Sequence, residues 1–157
     1  MRLLEINTIG RPEQWLIAAA KVVGLDITGM SHEVTNYFVS HGIKRHGNAE
    51  KEKAQGQSPV TLADIDRIPD IVKNPDCAII NIKRNKETLI AYSKKFEGST
   101  TIYYEEVLNS KQNKALRSKT IYKKMGTVKS DTFLKIVSNN AHTDILPKTK
   151  RIGFNAE

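Results

Sequence analysis

The stretch Cys77–Leu108, CAIINIKRNKETLIAYSKKFEGSTTIYYEEVL, decides the fold because it contains three successive predicted strands. Its apolar residues are mostly β-branched or aromatic, as is typical of strands, and Thr88, Ile90 and Tyr92 alternate with Leu89 and Ala91. Asn85-Lys86 and Glu97-Gly98-Ser99 are the predicted turns. Polar residues then lead to a further strand over Ala115–Tyr122. We therefore expect an antiparallel meander of three or four strands.

The first half of the chain has helical spacing instead. One helix is predicted to start near Pro12 and to stop at Gly24. A second helix, capped by Ser31, carries its apolar face towards Arg45 and ends at Gly47-Asn48. The polar residues 49–57 are predicted to form a loop or one short turn. Thr61-Leu-Ala-Asp64 has the shape of a capping box and predicts a short third helix.

Helices followed by a meander predict an α+β fold, with N-terminal helices packed on one face of the sheet and the other face open. A short terminal helix is expected over Asp131–Val137. The 157 residues fit one domain. We take residues 26–157 as that domain and residues 1–25 as an N-terminal helix, which either adds to it or extends an upstream region. We expect no membrane-spanning segment, because no apolar run approaches about 20 residues. We also expect no secretory signal in this chain.

The charge is strongly positive and unevenly distributed. The net charge is +8, from 25 Lys and Arg against 17 Asp and Glu. From Lys111 to Arg151 the only acids are Asp131 and Asp144, against eleven basic residues: Lys111, Lys114, Arg117, Lys119, Lys123, Lys124, Lys129, Lys135, Lys148, Lys150 and Arg151. Such a stretch favours a polyanion such as nucleic acid, because binding releases condensed counterions. The alternative is a solvated basic face without a partner.

The single cysteine excludes two kinds of structural cross-link. Cys77 cannot form an internal disulfide or a zinc site built from cysteines. It lies in the apolar run Cys77-Ala-Ile-Ile, so we expect a buried core thiol.

Two histidines form the densest cluster of candidate functional residues, His41-Gly-Ile-Lys-Arg-His46. Five residues turn a helix by about 500°, so the two rings lie about 140° apart around the axis. That spacing is poor for metal ligation, and the sequence predicts no metal and no cofactor. Histidine titrates near neutral pH and could exchange protons with RNA during attack of a 2′-hydroxyl on phosphorus. The alternative is a basic helix end that the dipole favours.

A second cluster lies in the last predicted strand. Thr120 and Tyr122 point to one face there and could hold a phosphate or a 2′-hydroxyl, whereas Lys119 and Lys123 point to the other. The alternative is an ordinary exposed sheet face. In the polar segment after His46, a carboxylate such as Glu52 could orient a histidine, act as a base or simply balance charge.

The order of these segments resembles one family. The relevant motifs, in order, are His41-x4-His46-Gly-Asn, Glu52-x3-Gly56-Gln57, Asp64-x4-Pro69-Asp-Ile, Asn74-Pro75-Asp76 and Lys119-Thr-Ile-Tyr122-Lys. Together they look like the phage-type nuclease domains of the barnase–EndoU–colicin–RelE-like superfamily. These domains occur at the ends of phage head proteins and of polymorphic toxins, including contact-dependent inhibition effectors. The resemblance extends from about Asp26 to Lys124.

The resemblance implies helices on a four-stranded antiparallel sheet and a metal-independent endoribonuclease. Transfer RNA is a frequent substrate of toxin members, and a cognate immunity protein blocks their site. Such a domain would be delivered as the end of a larger parent protein and act in the cytoplasm of a target bacterium. The expected catalytic residues are His41, His46, Thr120 and Tyr122. The expected substrate-binding residues are Lys44, Arg45, Glu52 and Lys123.

Two other function classes fit the same sequence. A non-catalytic nucleic-acid-binding module would need only the basic stretch and would show salt-sensitive binding without product. A structural or interaction domain of a phage particle would bind a protein partner instead.

Overall fold

The chain folds as helices around a mixed β-sheet, which confirms the predicted α+β class. A computed structural model describes the backbone of residues 5–141 and 150–153 and the side chains of residues 5–139. The helices are α1 (Gln14–Val22), α2 (Asn36–His46), α3 (Ala49–Ala54), α4 (Leu62–Asp66), α5 (Ile68–Lys73) and α6 (Ser130–Ala141). The strands are β1 (Ile6–Gly10), β2 (His32–Thr35), β3 (Gln57–Ser58), β4 (Cys77–Arg84), β5 (Glu87–Phe96), β6 (Ser99–Asn109), β7 (Lys114–Met125) and β8 (Lys150–Gly153).

The predicted meander is present and forms the centre of the sheet. Strands β4 to β7 pair antiparallel in chain order, with turns at the predicted places. The prediction of three or four strands was too small, because short strands extend both edges to give the order β1-β2-β7-β6-β5-β4-β8, with β3 also pairing β7. The pairing of β2 with β7 is parallel, so the sheet is mixed.

Both faces of the meander are covered. The first face packs against α1, α2, α4 and α5, and its core includes Leu16, Phe38, Ile71, Ile90 and Tyr103. The opposite face packs against α6, whose Phe133 and Val137 are buried there. The prediction of an open second face was therefore wrong over the part that α6 covers. Cys77 is a buried core thiol on this face, as predicted.

Within the N-terminal segment, the described residues 5–25 join the main sheet and its core. Strand β1 pairs antiparallel with β2, and the apolar face of α1 is buried in the first core through Leu16, Ala19 and Ala20. Helix α1 matches the predicted helix. The domain boundary at Asp26 stays a prediction.

The second predicted helix starts later than its sequence pattern indicated. Residues His32–Thr35 form β2, and the cap is Thr35, whose side chain accepts from the Phe38 backbone N–H at 3.1 Å, instead of Ser31. A strand of four residues depends on its partners, here β1 and β7, which a local pattern does not contain. The predicted capping box of Thr61 and Asp64 is confirmed, since both of its hydrogen bonds are present.

One edge of β7 is interrupted. Its residues Leu116 and Arg117 pair with β2, and Lys123 and Lys124 pair with β3. Among the described residues, no strand lies beside positions 119–122 on this edge, and α2 packs across the gap. In the described part of the chain, no helix has the length and apolarity needed to cross a membrane.

Candidate active site

A cleft of about 810 Å³ opens where α2 crosses the interrupted edge of β7. It is formed by three parts of the chain: one side of α2, the middle of β7, and the neighbouring ends of β3, β4, β6 and α6. Its lining includes Tyr37, His41, Gly42, Arg45, His46, Gln57, Arg84, Glu106, Arg117, Lys119, Thr120, Tyr122 and Lys124.

Close packing at Gly42 brings α2 onto β7. A Cβ atom at this position would lie 3.3 Å from Cγ2 of Ile121, tighter than ordinary van der Waals contact. Glycine weakens a helix interior by about 1 kcal/mol relative to alanine, so its presence here fits a packing requirement. The absence of a side chain lets the helix carry His46 to the strand that bears Thr120 and Tyr122.

His46 is held by a buried carboxylate. Its Nδ1 lies 2.7 Å from Oε1 of Glu52, whose residue is only 1% exposed, whereas the His46 side chain is 17% exposed. Glu52 belongs to α3, which Asn48 caps by accepting from the backbone N–H of Lys51. The carbonyl of His46 also accepts a 2.7 Å hydrogen bond from the backbone N–H of Val60. The ring is thus fixed through one nitrogen, which leaves Nε2 for other partners.

His41 lines the same cleft but in a different environment. Its ring is exposed and stacks on Tyr37, one helical turn earlier, with ring centroids 5.5 Å apart and planes 13° apart. The two histidines, which were predicted to lie on different sides of the helix, both line the cleft. Among the described residues, no three His, Cys, Asp or Glu side chains are grouped as a metal site requires.

Thr120 and Tyr122 both line the cleft from β7. The Tyr122 ring lies 6.0 Å from that of His46, centroid to centroid. Opposite them on β6, the register shifts between Tyr104 and Glu105, which gives β7 one additional residue, Lys119. Such a bulge redirects side chains, and Lys119 bonds to Glu87 of β5 while lining the cleft.

The cations of the cleft form two groups. Arg117 donates to Glu33 at 2.9 Å, and Arg84 and Lys119 both contact Glu87. Arg45 and Lys124 have no carboxylate within 4.0 Å among the described residues, and Arg45 is exposed. These last two side chains are the ones best placed to receive an added anion.

Three residues predicted to bind substrate lie elsewhere. Lys44 is exposed on α2 and does not line the cleft. Lys123 bonds to both carboxylate oxygens of Asp64, at 3.1 and 3.3 Å, and so ties the start of α4 to β7. Glu52 is buried behind His46, where a substrate could not reach it directly.

Several cleft residues were not identified from the sequence. Tyr37 had only helical spacing to identify it, and Gln57 was part of a motif without an assigned role. Oε1 of Gln57 is buried and has no hydrogen-bond partner in the described part of the chain. Glu106 lies on β6, which pairs with β7, whereas Arg84 lies at the end of β4, two strands farther across the sheet than β6. No local signal could have found these two residues.

A buried polar cluster lies next to the cleft floor. Glu105, 0% exposed, is bonded to His32 Nδ1 at 2.6 Å and accepts from the Tyr92 hydroxyl at 2.6 Å, with the Tyr103 hydroxyl 3.5 Å away. Burial first, and then the charge of Glu105, raise the pKa values of Tyr92 and Tyr103 well above their usual range. Both tyrosines therefore remain protonated at neutral pH.

Comparison with known proteins identifies a family. The model of a family described as phage-Barnase-EndoU-ColicinE5/D-RelE like nuclease3 covers residues 11–131, more than half of the chain. This range contains both histidines, Glu52 and the whole of β7. No curated protein and no solved structure matches the chain.

Proposed function

The chain belongs to this phage-Barnase-EndoU-ColicinE5/D-RelE-like nuclease family, and we propose that it is an endoribonuclease that cleaves RNA without a metal ion. One observation carries the proposal: a histidine fixed through Nδ1 by a buried glutamate, beside two hydroxyl side chains in a cleft with two uncompensated cations. Histidine and hydroxyl groups suffice when the nucleophile is the RNA 2′-hydroxyl.

His46 would act as the general base. Its Nε2 takes the proton of the 2′-hydroxyl as that oxygen attacks the adjacent phosphorus. Glu52 stabilises the resulting imidazolium and holds the ring orientation. The bond from phosphorus to the 5′-oxygen breaks, and the leaving oxygen takes a proton from His41, the second imidazole of the cleft. The products are a 2′,3′-cyclic phosphate and a 5′-hydroxyl.

The remaining roles follow from position. Thr120 and Tyr122 would donate hydrogen bonds to the non-bridging oxygens of the scissile phosphate, where negative charge develops. Arg45 and Lys124 would bind flanking phosphates. Lys44 and Lys123 are left out of this assignment, since the first lies away from the cleft and the second bonds to Asp64.

We further propose a toxin role, which the resemblance to polymorphic-toxin domains supports. The substrate would be transfer RNA in the cytoplasm of a target bacterium, reached as the end of a larger parent protein. A cognate immunity protein would cover the cleft, and its surface there would be acidic to match Arg45 and Lys124.

The test is cleavage of total bacterial RNA by purified protein in excess EDTA, resolved on a denaturing gel. We expect discrete fragments from the wild type, with 5′-hydroxyl and 2′,3′-cyclic phosphate ends. His46→Ala should abolish cleavage, and Glu52→Gln should reduce turnover by about 10²-fold or more because it removes the charge that stabilises the imidazolium. Lys44→Ala, two residues from His46 and outside the cleft, is the matched control.

Each other outcome contradicts part of the proposal. Full activity of His46→Ala would remove it from the site. Cleavage that EDTA abolishes would overturn the metal-free mechanism. Salt-sensitive RNA binding without product would favour a non-catalytic binding module, and no RNA binding would favour a structural or interaction domain.

A further inference from the structure

We propose that Tyr37, supported by His41, is a stacking platform for an unpaired RNA base that neighbours the cleaved nucleotide. This inference rests on the proposed ribonuclease function and names the form of substrate that it takes: RNA with an unstacked base, as in a loop or single strand.

The exposure of the Tyr37 ring supports this proposal. This residue is 67% exposed although its ring is large and lines the cleft. The His41 ring covers one of its faces in a nearly parallel stack. The opposite face is left for a ligand. Aromatic faces bind RNA bases in this way, because every base presents a π-surface.

The positive charge of Arg45 beside the platform also supports the proposal. Tyr37, His41 and Arg45 follow one another at intervals of four residues, so they form a single row along α2. The row ends in a guanidinium that has no carboxylate partner among the described residues. A nucleotide needs this combination, an aromatic plane for its base and a cation for its phosphate.

The distance between Tyr37 and His46 indicates which nucleotide the platform would hold. Nine residues separate Tyr37 from His46, or about 13 Å along the helix axis. A base on Tyr37 therefore belongs to a nucleotide that flanks the scissile one. A fully paired duplex keeps its bases stacked inside the helix and could not use the platform, so the geometry favours unpaired RNA.

If the Tyr37–His41 pair only stabilised α2, its position in the cleft would be unexplained. Ring pairs four residues apart stabilise a helix only weakly. That benefit does not depend on facing a basic cleft, and it predicts no effect on RNA.

The experiment uses fluorescence of 2-aminopurine, a base analogue that is quenched when it stacks. A single-stranded RNA oligonucleotide carrying 2-aminopurine is titrated with the full chain bearing His46→Ala, so that RNA is bound without cleavage. Added to this background are Tyr37→Ala, Tyr37→Phe and, as a control, Leu62→Ala, which removes an equally exposed apolar side chain outside the cleft.

We expect quenching with Tyr37, with Tyr37→Phe and with Leu62→Ala. Tyr37→Ala should lose the quenching and bind the oligonucleotide about 5- to 100-fold more weakly. The same variant should bind a fully paired duplex as well as its parent does. Circular dichroism checks that α2 still forms.

Two outcomes would overturn the inference, and they are distinguishable. Equal quenching and affinity with Tyr37→Ala would remove the platform, while RNA cleavage by the wild type would still stand. If wild-type protein neither binds nor cleaves RNA, the proposed function fails, and the platform fails with it.

Discussion

At the scale of single residues, the two site histidines differ in what holds them. His46 is fixed by Glu52 and partly buried, whereas His41 is exposed and contacts another ring. In the sequence, Glu52 was a carboxylate that could orient a histidine, act as a base or balance charge, and the family resemblance implied substrate binding. Which histidine it would orient depended on how α3 folds back on α2, and no spacing rule gives that.

The tyrosines bonded to Glu105 predict an alkaline limit to stability. Their pKa values are raised in the folded state, so the unfolded chain loses these protons first when pH rises above about 10. The stabilisation is therefore complete below pH 10 and declines above it. Each tyrosine steepens the decline by up to about 1.4 kcal/mol per pH unit.

The measurement is urea unfolding between pH 8 and pH 11. The free energy of unfolding should fall less steeply with pH in Tyr92→Phe than in the wild type, because one of the two buried hydroxyls is gone. Tyr37→Phe, which removes a hydroxyl from an exposed ring, is the control. A slope in Tyr92→Phe equal to that of the control would contradict the raised pKa that burial and Glu105 give Tyr92.

At the scale of elements, the helices and strands predicted correctly are those whose sequence signals lie close together in the chain. Strands β4 to β7 were predicted because their alternation and turns lie in one continuous stretch. Helix α4 was predicted from its capping box. Strands β1, β2 and β3 were missed, since each is short and is fixed by a partner distant in the chain. The cleft depends on β2 and β3, because they bound the gap in β7.

The fit of α2 on β7 predicts that Gly42 matters more for activity than for folding. In Gly42→Val the added side chain meets Ile121 and pushes the helix outward. His46 then moves away from Thr120 and Tyr122. A displacement of about 1 Å costs on the order of 10²-fold in turnover.

Turnover and the melting temperature should be compared with those of Ser40→Val. That variant places the same β-branched residue at an exposed position of α2. We expect Ser40→Val to stay close to wild type in both. Wild-type turnover in Gly42→Val would show that the approach of α2 does not position the site.

At the scale of the whole molecule, the net charge of +8 correctly indicated a nucleic-acid partner class, and the nuclease family is consistent with it. Charge counting could not locate the site. Of the eight basic residues from Lys111 to Lys135, whose side chains the structure describes, only Arg117, Lys119 and Lys124 line the cleft. The two cleft cations that have no carboxylate partner among the described residues are Arg45 of α2 and Lys124 of β7, which are far apart in sequence.

Salt dependence of RNA binding separates cleft cations from the rest. In the His46→Ala background, Arg45→Ala should lower the slope of log affinity against log salt by about 0.7, the value for one lost contact to single-stranded RNA. Lys44→Ala removes the same charge from the adjacent position outside the cleft and should leave the slope near that of its parent. Equal slopes would mean that the cleft does not hold the RNA backbone. Fluorescence anisotropy at several salt concentrations gives both values.

The parallel pairing of β2 with β7 has a consequence for when activity arises. It joins Glu33 to Arg117, 84 positions apart in the chain. Pairings of such high contact order form slowly, because a long loop must close before any contact rewards it. The gap in β7, and the cleft built on it, can exist only once β7 itself is available to pair with β2 and β3. A nascent chain that ends before β7 therefore lacks the cleft and, under the proposed function, could not cleave the RNA around it.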